Sequence, residues 1–240
     1  MGEQPISMTL DGRRCQTHFF GAPPKGGMPL FVMPLAGEAA DLLAGQHERL
    51  DDEARSFAHA LAVFEADSWN DDLSPWPAPA VGRDQSAFGG RAGETLTWIE
   101  NRLLPGVIAA APAVRGGPRG LLGYSMGGLF ALWAIGRTNA FSVYASCSGS
   151  LWYEGFCEHL AQHPPKADCA VYLSLGDREE RTRHPAFSRV GDATRRAAAL
   201  LRQAPTCREV ALVWHPGAHT GAVGERLAAA QRWMRDRVKP

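Results

Sequence analysis

The sequence predicts an α/β fold, a doubly wound and mostly parallel sheet with helices on both faces. Three observations carry that expectation. Short apolar runs that read as buried strands, such as Pro29–Pro34 and Ala170–Leu175, alternate with helix-forming segments along the chain. At mid-chain, Gly123-Tyr124-Ser125-Met126-Gly127-Gly128 stands directly between an apolar strand and a helical run. Finally, no internal repeat, low-complexity tract or domain boundary interrupts the 240 residues, which suit one domain, 1–240, with a substantial core.

In chain order, Ile6–Leu10 and Cys15–Phe20 flank the turn dipeptide Asp11-Gly12 and read as a hairpin. Pro29–Pro34 is a strand stopped by proline, Asp51–Ala60 a helix, and Leu61–Glu65 the next strand. Ala66–Gly90 reads as a long irregular stretch. A connection of that length in a compact domain is usually functional, and its tryptophans and prolines suggest ordered walls. Gly93–Ala111 has apolar residues at helical spacing (Leu96, Ile99, Leu103, Leu104, Ile108). The strand ending at Tyr124 and a helix to Arg137 follow, then a strand over Phe141–Ala145. The remainder is a strand to Leu175, a helix over Asp192–Gln203, a strand over Val210–Trp214 and a helix over Ala222–Arg235.

Composition narrows the function classes. With 25 basic and 25 acidic side chains the formal net charge is zero. That favours neither a nucleic-acid face nor attraction to a membrane surface. No apolar run approaches a bilayer-spanning length. The start, Met1-Gly2-Glu3-Gln4-Pro5, lacks the layout of a secretory signal, and Ile6 stands where a myristoylation signal needs Ser or Thr. Cys15, Cys147, Cys157, Cys169 and Cys207 are an odd, dispersed set, which suggests reduced thiols and a cytoplasmic location. The eight histidines include no H-E-x-x-H motif, and neither metal nor cofactor is expected.

The chemistry lies in the mid-chain turn. A Gly-x-Ser-x-Gly turn between strand and helix is a nucleophile elbow: it strains the serine backbone and pushes the hydroxyl clear of the sheet. Glycines two positions either side are needed because larger side chains would collide with the neighbouring strand and helix. Met126 then offers its backbone N–H to an oxyanion at the positive end of the helix. A second oxyanion donor is expected after the first parallel strand, around Leu35-Ala36.

A serine hydroxyl is a poor nucleophile near neutral pH and needs a base, which in turn needs an orienting acid. Behind an elbow these follow in the order serine, acid, histidine. His219, on the small-residue loop Gly217–Gly221, can swing back over Ser125, whereas His215 abuts a strand end before Pro216. The acid should leave the preceding strand, where Asp177, Glu179 and Glu180 are all candidates.

Gly123–Ala134 matches a Gly-x-Ser-Met-Gly-Gly pattern, Phe141–Trp152 ends in a serine-rich run and a tryptophan, and Gly217-Ala218-His219 lies near the C-terminus. With these the chain resembles the capless serine esterases of the α/β-hydrolase superfamily. It is similar to the group that holds esterase D/S-formylglutathione hydrolase, feruloyl esterases and the siderophore esterases that cleave ferric enterobactin. The resemblance implies ester hydrolysis through an acyl-enzyme. It maps the acid onto Glu179, although some siderophore-type members manage with serine and histidine alone. Tyr124 stands where formylglutathione hydrolases usually carry histidine.

About twenty residues separate the strands near Ala145 and Ala170, leaving no room for a large helical cap. Trp69, Trp76 and Trp152 fall in loops leaving the C-terminal strand ends, where ligands bind in such sheets. The expected substrate is a small-molecule, soluble ester with a bulky or planar group, in an open cleft with aromatic walls. An acyltransferase or thioesterase on the same fold, and a non-catalytic binding module, are the rival readings.

Overall fold

In the computed structural model, residues 4–22, 24, 26–36, 58–82 and 86–238 are described. Among these residues ten strands occur in chain order: β1 (Ile6–Leu10), β2 (Arg13–Phe20), β3 (Leu30–Leu35), β4 (His59–Glu65), β5 (Pro77–Ala78), β6 (Phe88–Gly89), β7 (Arg119–Tyr124), β8 (Val143–Cys147), β9 (Cys169–Gly176) and β10 (Cys207–His215). Eight of them form one sheet in the order β1-β2-β4-β3-β7-β8-β9-β10, and β5 pairs only with β6. β1–β2 and β2–β4 are antiparallel, whereas every pair from β4 to β10 is parallel. This is the mostly parallel, doubly wound sheet of the α/β-hydrolase fold.

The hairpin turn forms as expected. Asp11 and Gly12 both take positive φ, 51° and 88°, the backbone a two-residue turn needs to follow the twist of its strands. The parallel strands are covered on both faces, and their side chains sort with period two. Leu30 and Val32 enter one apolar cluster, Phe31 and Met33 the other. Leu121 and Leu122 divide in the same way.

The helices are α1 (Trp69–Leu73), α2 (Ala92–Trp98), α3 (Leu104–Ala110), α4 (Met126–Ala134), α5 (Phe156–Gln162), α6 (Val190–Gln203) and α7 (Val223–Arg237). Side chains of α4 and α6 pack into the first cluster, while Leu227, Ala228, Ala230 and Met234 of α7 pack into the second. A π turn over Ile99–Leu103 joins α2 to α3, with the Leu104 N–H bonded to the Ile99 carbonyl. Pro105 explains it: proline has no N–H to bond four residues back and its ring crowds that carbonyl, which a widened turn relieves.

Among its described residues, the stretch expected to be irregular over 66–90 holds α1 and the small β5–β6 ladder. Ser68 caps α1 by accepting from the Asp71 N–H at 3.4 Å. Arg91 donates to buried Asp72 at 2.8 and 3.2 Å, which fixes the stretch to the body of the fold. The helix expected over Asp51–Ala60 lies mostly outside the described residues, and its last two positions, His59 and Ala60, begin β4. The helix expected to run to Arg137 stops at Ala134. α5 occupies the β8–β9 connection, where no helix was expected; among the described residues there is no large cap.

Candidate active site

Ser125 sits between β7 and α4 at φ 56° and ψ −119°, a conformation a non-glycine residue holds only under constraint. The constraints are visible. The Ser125 N–H donates to the Cys147 carbonyl at 3.1 Å, and the Ser125 carbonyl accepts from Ser150 N–H at 3.0 Å and Leu129 N–H at 3.1 Å. A Cβ on Gly123 would lie 2.3 Å from the Gly127 backbone, and one on Gly128 would lie 2.8 Å from Ser146 Oγ. The glycines are thus where the strand and helix touch.

Ser125 Oγ lies 3.2 Å from His219 Nε2, and His219 Nδ1 lies 2.7 Å from Glu179 Oε2. The imidazole hangs from the β10–α7 connection and is 46% exposed, while the Glu179 side chain is 3% exposed. Of the three acids open at the sequence level, only Glu179 meets this ring. Asp177 Oδ1 accepts from Gly217 N–H at 2.9 Å, and Glu180 pairs with Arg195 at 2.8 Å. His215 is engaged elsewhere, 3.1 Å from the Tyr172 hydroxyl.

Behind Glu179 lies a set of donors that the sequence reading missed. Its Oε1 accepts from Ser148 Oγ at 2.7 Å, Gly176 N–H at 2.7 Å and Arg226 Nη1 at 2.6 Å. Burial opposes ionisation of this carboxyl, but hydrogen bonds from His219, Ser148 and Gly176 outweigh it and hold Glu179 below the usual glutamate value. Tyr124 donates its hydroxyl proton to the His219 carbonyl and receives Arg226 Nη1 at 3.0 Å. Burial pushes the Tyr124 phenol up, keeping it a donor. Ser150 Oγ stands 3.2 Å from Ser125 Oγ, as close as the imidazole does. Cys147 is no rival nucleophile, because burial pushes its thiol up to about 12.

A cavity of about 740 Å³ opens over Ser125, Met126 and His219, with Trp69, Phe88, Trp152 and Phe187 among its walls. Two of the expected wall tryptophans therefore reach it and one does not. The Trp76 ring packs against Tyr153 at 5.7 Å and His159 at 5.1 Å, beneath the wall. Met126 begins α4, where first-turn N–H groups have no intrahelical partner. Leu35, expected as the second oxyanion donor, closes β3 with its side chain in the second apolar cluster and does not line the cavity. Residues 37–57, which follow Ala36, lie outside the described residues. Among the described residues no group of three His, Cys, Asp or Glu is placed to hold a metal. None of the helices among them is long and apolar enough to cross a membrane.

Sheet order and elbow define the class as α/β-hydrolase. A family model described as "Putative esterase" matches residues 23–215, and the chain belongs to that esterase family. The matched span contains Ser125 and Glu179 and ends before His219. The chain is 30% identical over 164 residues to the "Uncharacterized protein YbbA" of Bacillus subtilis, covering 65% of this chain and 64% of that one. It is 37% identical over 97 residues to the siderophore triacetylfusarinine C esterase of Aspergillus fumigatus, covering 40% of this chain. The matches span 64% and 31% of the lengths of these two relatives. The fold is shared with the siderophore hydrolase EstB from Aspergillus nidulans, at a TM-score of 0.79 and 18% identity over 99% of this chain and 96% of that one.

Proposed function

We propose that the protein is a serine esterase acting through an acyl-enzyme. One observation carries the reading: hydroxyl, imidazole and buried carboxylate stand in one hydrogen-bonded line, Ser125–His219–Glu179, at the floor of a cavity. Ser125 Oγ attacks the ester carbonyl carbon while His219 Nε2 takes its proton. The Met126 N–H stabilises the oxyanion, while Glu179 holds the neutral imidazole in its Nδ1–H tautomer and stabilises the imidazolium that forms. Collapse of the tetrahedral species breaks the bond to the leaving oxygen, and His219 returns the proton to that alkoxide. Water, deprotonated by the same ring, then attacks the acyl-enzyme, releasing the acid and restoring Ser125.

The aromatic walls suit an ester with a planar or bulky group, and the names of the relatives suggest a siderophore-like ester. The test is a panel of short-chain, aryl and siderophore-type esters, run with wild type and Ser125→Ala, together with a fluorophosphonate probe. Expected are turnover and labelling that both vanish in Ser125→Ala. Activity surviving that substitution refutes the assignment of Ser125, and product formed only on a competing alcohol would make the enzyme a transferase.

A further inference from the structure

α7 carries Arg226 in its first turn, with a side chain 0% exposed. Both placements are unfavourable locally: a guanidinium leaves water at a cost, and the positive end of a helix repels a cation. Such a residue is kept for its contacts. Nη1 donates to Glu179 Oε1 at 2.6 Å, Ser148 Oγ at 2.7 Å and the Tyr124 hydroxyl at 3.0 Å. Nη2 donates to the Ala218 carbonyl at 2.9 Å and the Pro216 carbonyl at 3.4 Å. One planar fork therefore ties the end of β7, the residue after β8, the turn after β9 and the loop that bears His219.

We propose that Arg226 is a positioning residue of the esterase site, fixing the Glu179 carboxylate so that Oε2 alone faces His219 and holding the histidine loop so that Nε2 stays on Ser125. The proposal rests on the Ser125–His219–Glu179 reading above. Two consequences separate this role from simple support of the fold. The first is geometric. The loop backbone is gripped on one side through Ala218 and on the other through Tyr124, whose hydroxyl bonds the His219 carbonyl. Loss of the fork loosens the ring relative to Oγ, and a displacement near 1 Å costs about a hundredfold in rate.

The second is electrostatic. The Glu179 carboxylate is faced by Arg226 from α7, His219 from its loop, Ser148 after β8 and the Gly176 N–H of β9. The other titratable or charged groups around the guanidinium are the Tyr124 hydroxyl, the buried Cys147 thiol, His215 and exposed Arg178. Arginine stays charged at every working pH, so it offsets part of the carboxylate charge that an imidazolium would feel. Removing the cation favours the protonated ring and moves the acidic limb of the rate profile to higher pH.

The experiment compares wild type, Arg226→Met, Arg226→Lys and Ser125→Ala on an aryl acetate from about pH 5 to pH 9, with folding checked by circular dichroism. Expected for folded Arg226→Met is a kcat lower by about a hundredfold, KM within about twofold and an acidic limb shifted upward. Arg226→Lys restores the limb, because the charge returns, but not kcat, because the fork does not. A folded Arg226→Met with the kcat and limb of the wild type overturns the proposal. Should that variant fail to fold, a wild-type kcat in Arg226→Lys overturns it, and a lowered kcat at unchanged KM and limb upholds it. Activity in Ser125→Ala would instead sink the underlying triad, whatever the arginine variants do.

Discussion

Replacing Glu179 with glutamine tests whether the acid matters or a serine–histidine pair suffices. The amide has one oxygen and one NH2, and the structure decides which way it turns. On the Oε1 side three donors converge, from Ser148, Gly176 and Arg226; on the Oε2 side there is one, His219 Nδ1. Placing the NH2 among the three donors forfeits two more hydrogen bonds than placing it against the ring. At about 1 kcal/mol each, that favours the second orientation by about 2 kcal/mol, or about 30-fold. The NH2 then donates to Nδ1, the ring proton moves to Nε2, and Nε2 can no longer take the proton of Ser125. Loss of kcat should fall between about 30-fold, if the minority orientation keeps full activity, and about ten-thousandfold for a ring held in the wrong tautomer. Turnover of an aryl acetate near pH 7 measures it, and nitrogen NMR of the imidazole reads the tautomer. A folded Glu179→Gln enzyme within about threefold of wild type would refute the reasoning and leave a dyad.

Three further predictions rest on the same contacts and walls. The folded-state value of Glu179 is depressed below its ordinary 4.5. Its stabilising effect is therefore complete above 4.5 and disappears as pH falls through the lower folded value. Urea melts of wild type and Glu179→Gln should differ near pH 7 and converge as pH falls from 4.5 through the lowered folded value, and a constant gap contradicts this. Trp152→Ala should raise KM for aryl over alkyl esters by about 2- to 13-fold, the range an aromatic contact supplies. Trp76→Ala, beneath the wall, should lower Tm and leave that ratio alone; a shifted ratio would place Trp76 against the substrate.

Much of the fold was legible because its signals are local. Asp11-Gly12 selects a hairpin turn through positive φ, and the apolar runs at β3, β7 and β9 have only buried parallel positions to occupy. The elbow was legible because its glycines answer to contacts only a few residues away, Gly123 against Gly127. What escaped depends on partners distant in sequence. Helix α1 has five residues and β5 and β6 two each, too short for periodicity to register. The π turn keeps the apolar spacing of a helix, so Pro105 alone hinted at it. Trp76 and Trp152 look equivalent in sequence, and only packing sends one beneath the wall and the other onto it. Arg226 is 47 residues from Glu179, and its one local hint was a cation in the first turn of a helix.

Four non-glycine residues among those described take positive φ, and Ser125, Ser148 and Ala222 are three of them. Ser125 bears the candidate nucleophile, Ser148 touches both Glu179 and Arg226, and Ala222 leads into the helix that bears Arg226. Each such backbone costs on the order of 1–3 kcal/mol, so the least comfortable peptide units crowd around a single point. A designer seeking heat resistance would relax these positions first, with glycine, and would thereby dismantle the workplace the remaining chain is shaped to hold taut.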